Sequence, residues 1–262
     1  MRKHNIPAIL ASGFGVGTLG GLIGLGGAEF RLPLLIGFFG FGALPAVIIN
    51  KATSLVVVAS SLPFRAGSVP FSALLERWDI LLTLLAGSLA GAWFGAGWAT
   101  KLKSGTLYRV LAVLLLVIAA VLLFGHAPDP TAAPPFSGLA LAILGVIAGF
   151  GIGVVASIMG VAGGELLIPT IVLLFGADIK LAGSLSLMVS LPTMLVGFAR
   201  YRQDQSFSVI RRERRFLIVM AAGSIMGAFV GGQLLGLVPT QVLLPMLAAI
   251  LVVSSVKVWR HA

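Results

Sequence analysis

Cysteine is missing from this chain. No disulfide framework and no thiolate metal site can therefore form. Histidine is scarce: His4, His126 and His261 sit near the chain ends or in a loop, without ligand spacing. A metal enzyme is thus poorly supported, and neither a metal nor another cofactor is expected. The chain also lacks any His/Cys/Asp cluster that would suit a membrane enzyme, so it reads as a non-enzyme. Charge is scarce too, at 10% of residues, with 8 acidic against 18 basic. A soluble domain of this length needs more polar surface than that. Short alternating strands are absent, which argues against a β-barrel.

Hydrophobic residues make up 58% of the chain, and the mean hydropathy is +1.10. Several runs exceed the roughly 18 apolar residues that mark a membrane helix. The expected class is an all-α polytopic membrane protein. The net charge of +10 is spread over short loops between apolar segments, as membrane topology requires, so nucleic acid is not an expected partner. The apolar run after Met1-Arg2-Lys3-His4 resembles a signal peptide. It has an internal counterpart at 136–159, however, and no Ala-x-Ala-like site follows it.

A glycine-rich sentence occurs twice. The first copy is Gly24-Leu25-Gly26-Gly27-Ala28-Glu29-Phe30-Arg31-Leu32-Pro33, and the second is Gly160-Val161-Ala162-Gly163-Gly164-Glu165-Leu166-Leu167-Ile168-Pro169, at a constant offset of 136 residues. Each copy follows a long apolar segment and precedes a short one. Ten apolar segments can be drawn: 6–24, 29–41, 45–64, 78–99 and 106–124, then 137–160, 165–176, 180–200, 214–236 and 240–258. They divide the chain into a first repeat, 1–125, a proline-rich external linker, 126–136, and a second repeat, 137–262. The second segment of each half has about 12 residues, or roughly 18 Å, too short for a hydrocarbon core of about 30 Å. Each such segment is expected to form a re-entrant hairpin with its predecessor. The glycine-rich turn would then lie near the midplane, a depth where irregular backbone is tolerated only in protein or beside water.

Basic residues set the orientation. The 200–215 loop carries Arg200, Arg202, Arg211, Arg212, Arg214 and Arg215, and the 101–109 loop carries Lys101, Lys103 and Arg109. The 125–136 and 236–240 connections carry no Lys or Arg. By the positive-inside rule the first two are cytoplasmic and the last two external, with both termini cytoplasmic through Arg2-Lys3 and Lys257/Arg260. Segment 45–64 then runs outward and its counterpart 180–200 inward. Two inverted repeats follow, with six full crossings and two re-entrant helical hairpins. Trp78, Trp98 and Trp259 fit interfacial aromatic belts. The 200–215 loop is expected to contact anionic lipid, and Arg65, Arg77 and Lys180 to be solvated.

The turns are the candidate site. Beyond each turn a short helix begins, so its unpaired N–H groups and positive dipole end face the membrane centre. Two such ends form an anion site made of backbone, with Gly24, Gly26, Gly27, Gly160, Gly163 and Gly164 allowing close approach. Small residues that only pack helices are the plainer explanation. Pro33 and Pro169 stand in the first turns, where a missing N–H matters least. Glu29 and Glu165 are intramembrane acids. If desolvation dominates they stay neutral and serve as proton-coupling residues; if the dipole dominates they are carboxylate caps. Asn50, Lys51, Thr53 and Ser54, with Ser184 and Ser186 at the equivalent place in the second half, offer donors but few acceptors, which suits an oxyanion. Lys51 could instead snorkel to the cytoplasmic surface. Arg31 contacts the anion or pairs with Glu29.

With the duplicated Gly-x-x-Gly-(Ala/Gly)-Glu-x-x-x-Pro and the Asn50-Lys51-Ala52-Thr53-Ser54-Leu55 run, the chain resembles the TauE/SafE family of sulfite exporters, also described as toluene sulfonate uptake permeases. The likeness covers about 6–258. Glu29 and Arg31 depart from the family's more glycine-rich first turn, whereas the second copy fits it better. The resemblance implies a secondary transporter moving a small sulfur oxyanion, sulfite or an organosulfonate, across the bacterial inner membrane, with export the expected direction. Sulfur enters through the resemblance; the residues by themselves reach only a small anion. Expected partners are that anion and membrane lipid, with a homo-oligomer left open. The rivals are an anion channel or uniporter on the same fold, a membrane enzyme, and a non-transporting scaffold.

Overall fold

Lipid leaves the backbone one local solution, the α-helix, because no water is present to satisfy exposed N–H and C=O groups. The computed structural model describes residues 5–23, 27–66, 74, 76–124, 137–177, 179–234 and 240–261. Among them every regular element is helical. In chain order these are α1 (Ile6–Ile23), α2 (Ala28–Gly37), α3 (Ala43–Ala66), α4 (Trp78–Lys101), α5 (Ser104–Phe124), α6 (Gly138–Met159), α7 (Gly164–Phe175), α8 (Ile179–Tyr201), the short α9 (Ser208–Arg212), α10 (Arg214–Gln233) and α11 (Thr240–Trp259). The 126–136 linker, Gly24 and Gly26 lie outside the described residues.

Helix limits follow the apolar segments closely. The largest departure is α2, expected to reach residue 41 but ending at Gly37. The chain there turns out through Phe38 to Gly40, whose φ of 70° closes the bend. At 10 and 12 residues, α2 and α7 are about 15 and 18 Å long, too short to cross. Among the described residues five helices are long and apolar enough to span: Ala43–Ser60 of α3, α4, α6, Leu181–Tyr201 of α8, and α10. This set includes α6, expected as a hairpin arm. Among the described residues α5 and α11 contribute shorter apolar stretches, Ser104–Ala120 and Ala248–Trp259.

Two helix pairs tie the halves of the chain together. Helix α1 packs along α10, and α4 along α6. Both pairs run through stripes of glycine at every fourth position: Gly13, Gly17 and Gly21 against Gly223, Gly227 and Gly231, and Gly87, Gly91 and Gly95 against Gly145, Gly149 and Gly153. A Cβ at Gly17 would strike the Ser224 carbonyl, and one at Gly91 the Phe150 carbonyl. Such backbone-to-backbone seating is how membrane helices gain contact without a hydrophobic driving force. The contacts climb in step along both chains, Gly87 with Val146, Gly91 with Phe150 and Gly95 with Val154, so each pair is parallel. The stripes of α4 and α10 are themselves 136 residues apart, the offset of the doubled motif.

Helices α3 and α8 form the centre. Their spanning windows are 67% and 61% buried, against 28% for α6, 39% for α10 and 44% for α4. The peripheral helices carry the exposed apolar side chains, among them Trp93, Phe94, Ile147 and Phe229, which are the surface lipid would cover. Helices α5 and α11 pack together at one flank, with Ser255 Oγ donating to the Ala112 carbonyl at 2.8 Å. On the other side Ser88 of α4 and Thr193 of α8 share a 2.7 Å hydrogen bond. Trp78, Trp98 and Trp259 are exposed near helix ends, as interfacial anchors require.

Candidate functional site

The second glycine-rich turn begins where α6 stops. Gly160 takes φ 68°, ψ 29°, the left-handed conformation that ends a helix in a Schellman motif. The Val161 N–H reaches back to the Ala156 carbonyl at 3.0 Å, and the Gly160 N–H to Ser157 at 3.2 Å. A Cβ at Gly160 would also collide with the Val47 carbonyl, so the turn lies directly on α3. Gly163, at φ 83°, is the N-cap of α7, and Gly27, at φ 68°, holds the same place before α2. The helices therefore start at homologous glycines, and their first N–H groups lack partners within the helix.

Asn50 joins the two turns. Its Nδ2 donates to the Ala28 carbonyl at 3.0 Å and to the Met159 carbonyl at 3.2 Å. One side chain on α3 therefore grips the start of α2 and the end of α6, which belong to different halves. The Asn50 Oδ1 accepts from Arg31 Nη1 at 3.3 Å, and that nitrogen also reaches the Asn50 carbonyl at 3.4 Å and Ser54 Oγ at 3.0 Å. Arg31 is fully buried and near Glu29. The hydrogen bonds of its Nη1 run to α3.

Lys51 is fully buried as well. It does not snorkel. Its Nζ points at the end of α6, 3.3 Å from Ser157 Oγ and 3.5 Å from the Ala156 carbonyl, with Gly197 of α8 close beside it. The Tyr201 hydroxyl donates to the Ser157 carbonyl at 2.8 Å. Three side chains thus cover the last carbonyls of α6, where a cation is favoured by the helix dipole. Ser157 and Tyr201 were not among the residues singled out from sequence. A serine three residues before the expected helix end and a tyrosine closing an apolar run beside basic residues were the available signals.

Glu29 and Glu165 stand in the first turns of α2 and α7, 1% and 4% exposed. The two carboxyls, one from each copy of the motif, lie within reach of one another. None of their four oxygens has a hydrogen-bond partner among the described residues.

The remaining candidates are less central. Thr53 Oγ1 donates to the Ile49 carbonyl at 2.9 Å and Ser186 Oγ to Gly183 at 2.8 Å, each within its own helix. Ser184 is buried in α8 near Ser186. Ala162 of the second turn packs with Val58 of α3 and with Leu187 and Met194 of α8, which brings that turn between the two central helices. Gly164 is buried as the first residue of α7. Arg77, expected to be solvated, donates to the Phe175 carbonyl at 3.3 Å and pairs with Asp79 at 3.6 Å, so it closes the far end of α7. The Arg65 and Lys180 side chains lie outside the described residues.

Three comparisons bear on this arrangement. A family model described as sulfite exporter TauE/SafE matches residues 9–260. A protein described as a probable membrane transporter protein, YunE, of Bacillus subtilis (strain 168) is 30% identical over 115 residues. That match covers 44% of this chain and 40% of the relative, so the chain spans about two fifths of the length of the curated protein it matches. No solved structure matches.

Proposed function

The chain belongs to the TauE/SafE sulfite exporter family, and we propose that it is a secondary transporter carrying a small sulfur oxyanion, sulfite or an organosulfonate, across the bacterial inner membrane, in the direction of export. The carrying observation is Asn50. A single buried amide that holds both glycine-rich turns together makes one site out of two halves. Around it lie the start of α2, the end of α6 that leads into the second turn, two buried cations and the Ser54 hydroxyl, which is a donor-rich environment for an oxyanion.

The chemistry of binding follows from the hydrogen bonds. Lys51 holds neutral acceptors at 3.3 and 3.5 Å, the long end of the hydrogen-bond range. An oxyanion is the stronger acceptor and forms shorter, charge-assisted contacts. Lys51 is therefore the principal ligand, with Arg31 and Ser54 beside it, while Asn50, whose amide hydrogens are engaged by two carbonyls, holds the turns that shape the site. The glycines Gly27, Gly160, Gly163 and Gly164 supply backbone, as do Gly24 and Gly26 on the sequence pattern. Thr53, Ser184 and Ser186 complete the polar lining of α3 and α8. The dissociated anion carries its charge outward down the membrane potential, which favours export by about 2.3 kcal/mol per charge per 100 mV.

The architecture we propose is two inverted repeats, 1–125 and 137–262, joined by the 126–136 linker, with six crossings and two re-entrant hairpins and both termini cytoplasmic. Parallel packing supports the inversion. Helices α1 and α10 start next to the Arg2-Lys3 and 200–215 basic groups, whereas α6 starts after a linker without Lys or Arg, and α4, parallel to it, ends at Lys101 beside the basic 101–109 loop. The halves then rock against each other about the shared site to expose it alternately.

Sulfite flux into proteoliposomes, with an imposed potential and with sulfonates, sulfate and chloride as competitors, tests this reading. Saturable flux that Lys51→Ala reduces by about 100-fold supports it, since a buried charge-assisted contact is worth about 1.5–3 kcal/mol or more. Flux that does not saturate at turnover-like rates would mark a channel. No flux of any oxyanion from folded protein removes the substrate assignment.

A further inference from the structure

We propose that Glu29 and Glu165 hold one proton between them, and that this shared proton moves with the anion in the same direction. The proposal rests on the transporter reading and deepens it. Each glutamate comes from one copy of the doubled motif and stands in the first turn of a short helix, and Asn50 ties the start of α2 to the end of α6, from which the second turn leads into α7. Both side chains are closed off from solvent. Among the described residues none of their four oxygens has a well-aligned hydrogen-bond partner, each carboxyl having only its own backbone N–H close by, and each carboxyl has the other within reach.

Those facts fix the chemistry. Two facing carboxylates would leave like charges in contact in a weakly screening environment. A carboxylate cannot donate, so the pair can satisfy itself only when a proton lies between the two groups as an O–H···O⁻ bond. Coupled acids of this kind titrate as one unit.

The neighbouring charges do not remove the need for that proton. Arg31 on α2 is near Glu29, but its Nη1 is directed to Asn50 and Ser54 of α3. Lys51 on α3 turns to the end of α6, and Tyr201 of α8 donates to Ser157. Arg200, next to Tyr201, lies over Trp93 and bonds Gln203. Lys257 of α11 contacts Gly37, at the opposite end of α2.

Anion and proton are thereby linked. An oxyanion entering beside the turns meets one negative charge when the pair holds its proton and two when it does not, so each ligand favours the other. The proton is taken from water on the side where the anion enters and released where it leaves. A monovalent anion moving with one proton is electroneutral, so the potential by itself no longer favours export: the gradients of anion and proton set the direction, and export runs on the anion's own outward gradient.

Two measurements test the pair. Infrared difference spectroscopy of the purified protein, comparing wild type with Glu29→Gln and Glu165→Gln, reads the protonated-carboxyl stretch without any transport. The band is expected at neutral pH in wild type and absent in both variants, where the amide donates to the remaining carboxylate. Proteoliposomes with an internal pH dye then read protons against sulfite. The expected ratio is about one in wild type and about zero in either variant, each of which keeps its thermal midpoint. A wild type without the band, or sulfite flux without proton movement, overturns the proposal. Absence of all saturable flux would instead overturn the transporter reading, and the infrared band would still decide the pair.

Discussion

Asn50 is the residue on which most of the site depends. Replacing it by Ala frees the carbonyls of Ala28 and Met159 in a buried place and leaves Arg31 without one acceptor. Each orphaned buried group costs about 1–3 kcal/mol. Asn50→Ala should therefore lower the thermal midpoint in detergent measurably and abolish flux, whereas Asn50→Gln, with the same groups on a longer arm, should recover part of the stability. Tyr201→Phe makes a contrasting case. It removes one 2.8 Å hydrogen bond from the end of α6, worth about 0.5–1.5 kcal/mol, and leaves Lys51 in place. Flux in the Phe variant should stay within about threefold of wild type; a collapse of flux at unchanged stability would make Tyr201 part of the anion site.

At the scale of the element, the glycine stripes make a sharp contrast between faces of one helix. A side chain at Gly17 or Gly227 would meet the backbone of the partner helix, while one at Gly15 of α1 or Gly151 of α6 would meet nothing within 4 Å. Gly91→Leu and Gly227→Leu must separate parallel helices that otherwise touch, at about 1–3 kcal/mol or more. Gly15→Ala and Gly151→Ala should be neutral or stabilise by about 0.5–1 kcal/mol, since they remove only chain entropy and helix-breaking tendency. Thermal unfolding in detergent, with the yield of folded protein, separates the two classes. Equal effects from both faces would mean that the pairs do not hold the halves together.

For the whole molecule, the absence of cysteine is an experimental advantage. Single cysteines introduced at positions 3, 103 and 213 should react with an impermeant thiol reagent from one side of the membrane only, and those at 128 and 237 from the other. That outcome follows if α1 and α10 start on the basic side and α4 and α6 on the opposite one. Labelling of 103 and 128 from the same side would break the inverted arrangement, and with it the rocking of two halves about Asn50.

The amino-acid sequence by itself determined where the helices lie. The run at 78–99 became Trp78–Lys101 and that at 214–236 became Arg214–Gln233, because in lipid an apolar run of that length has no backbone solution other than a helix. The doubled turn was legible for a related reason: glycines at φ 68° and 83° are local requirements, written locally, although Pro33 and Pro169 fall inside α2 and α7, past the first turn where the sequence pattern puts them. Partner choice was not legible. Glycine at every fourth position says that a helix face will be packed closely, but the same stripe occurs on α1, α4, α6 and α10, and nothing local tells α1 to take α10 and α4 to take α6. Nor did the sequence show that Asn50 would reach a carbonyl 109 residues away, or that Lys51 would turn inward to Ser157 instead of outward to water. Those outcomes depend on which backbones can approach within hydrogen-bond distance, a property of the assembled bundle that only the tertiary structure decides.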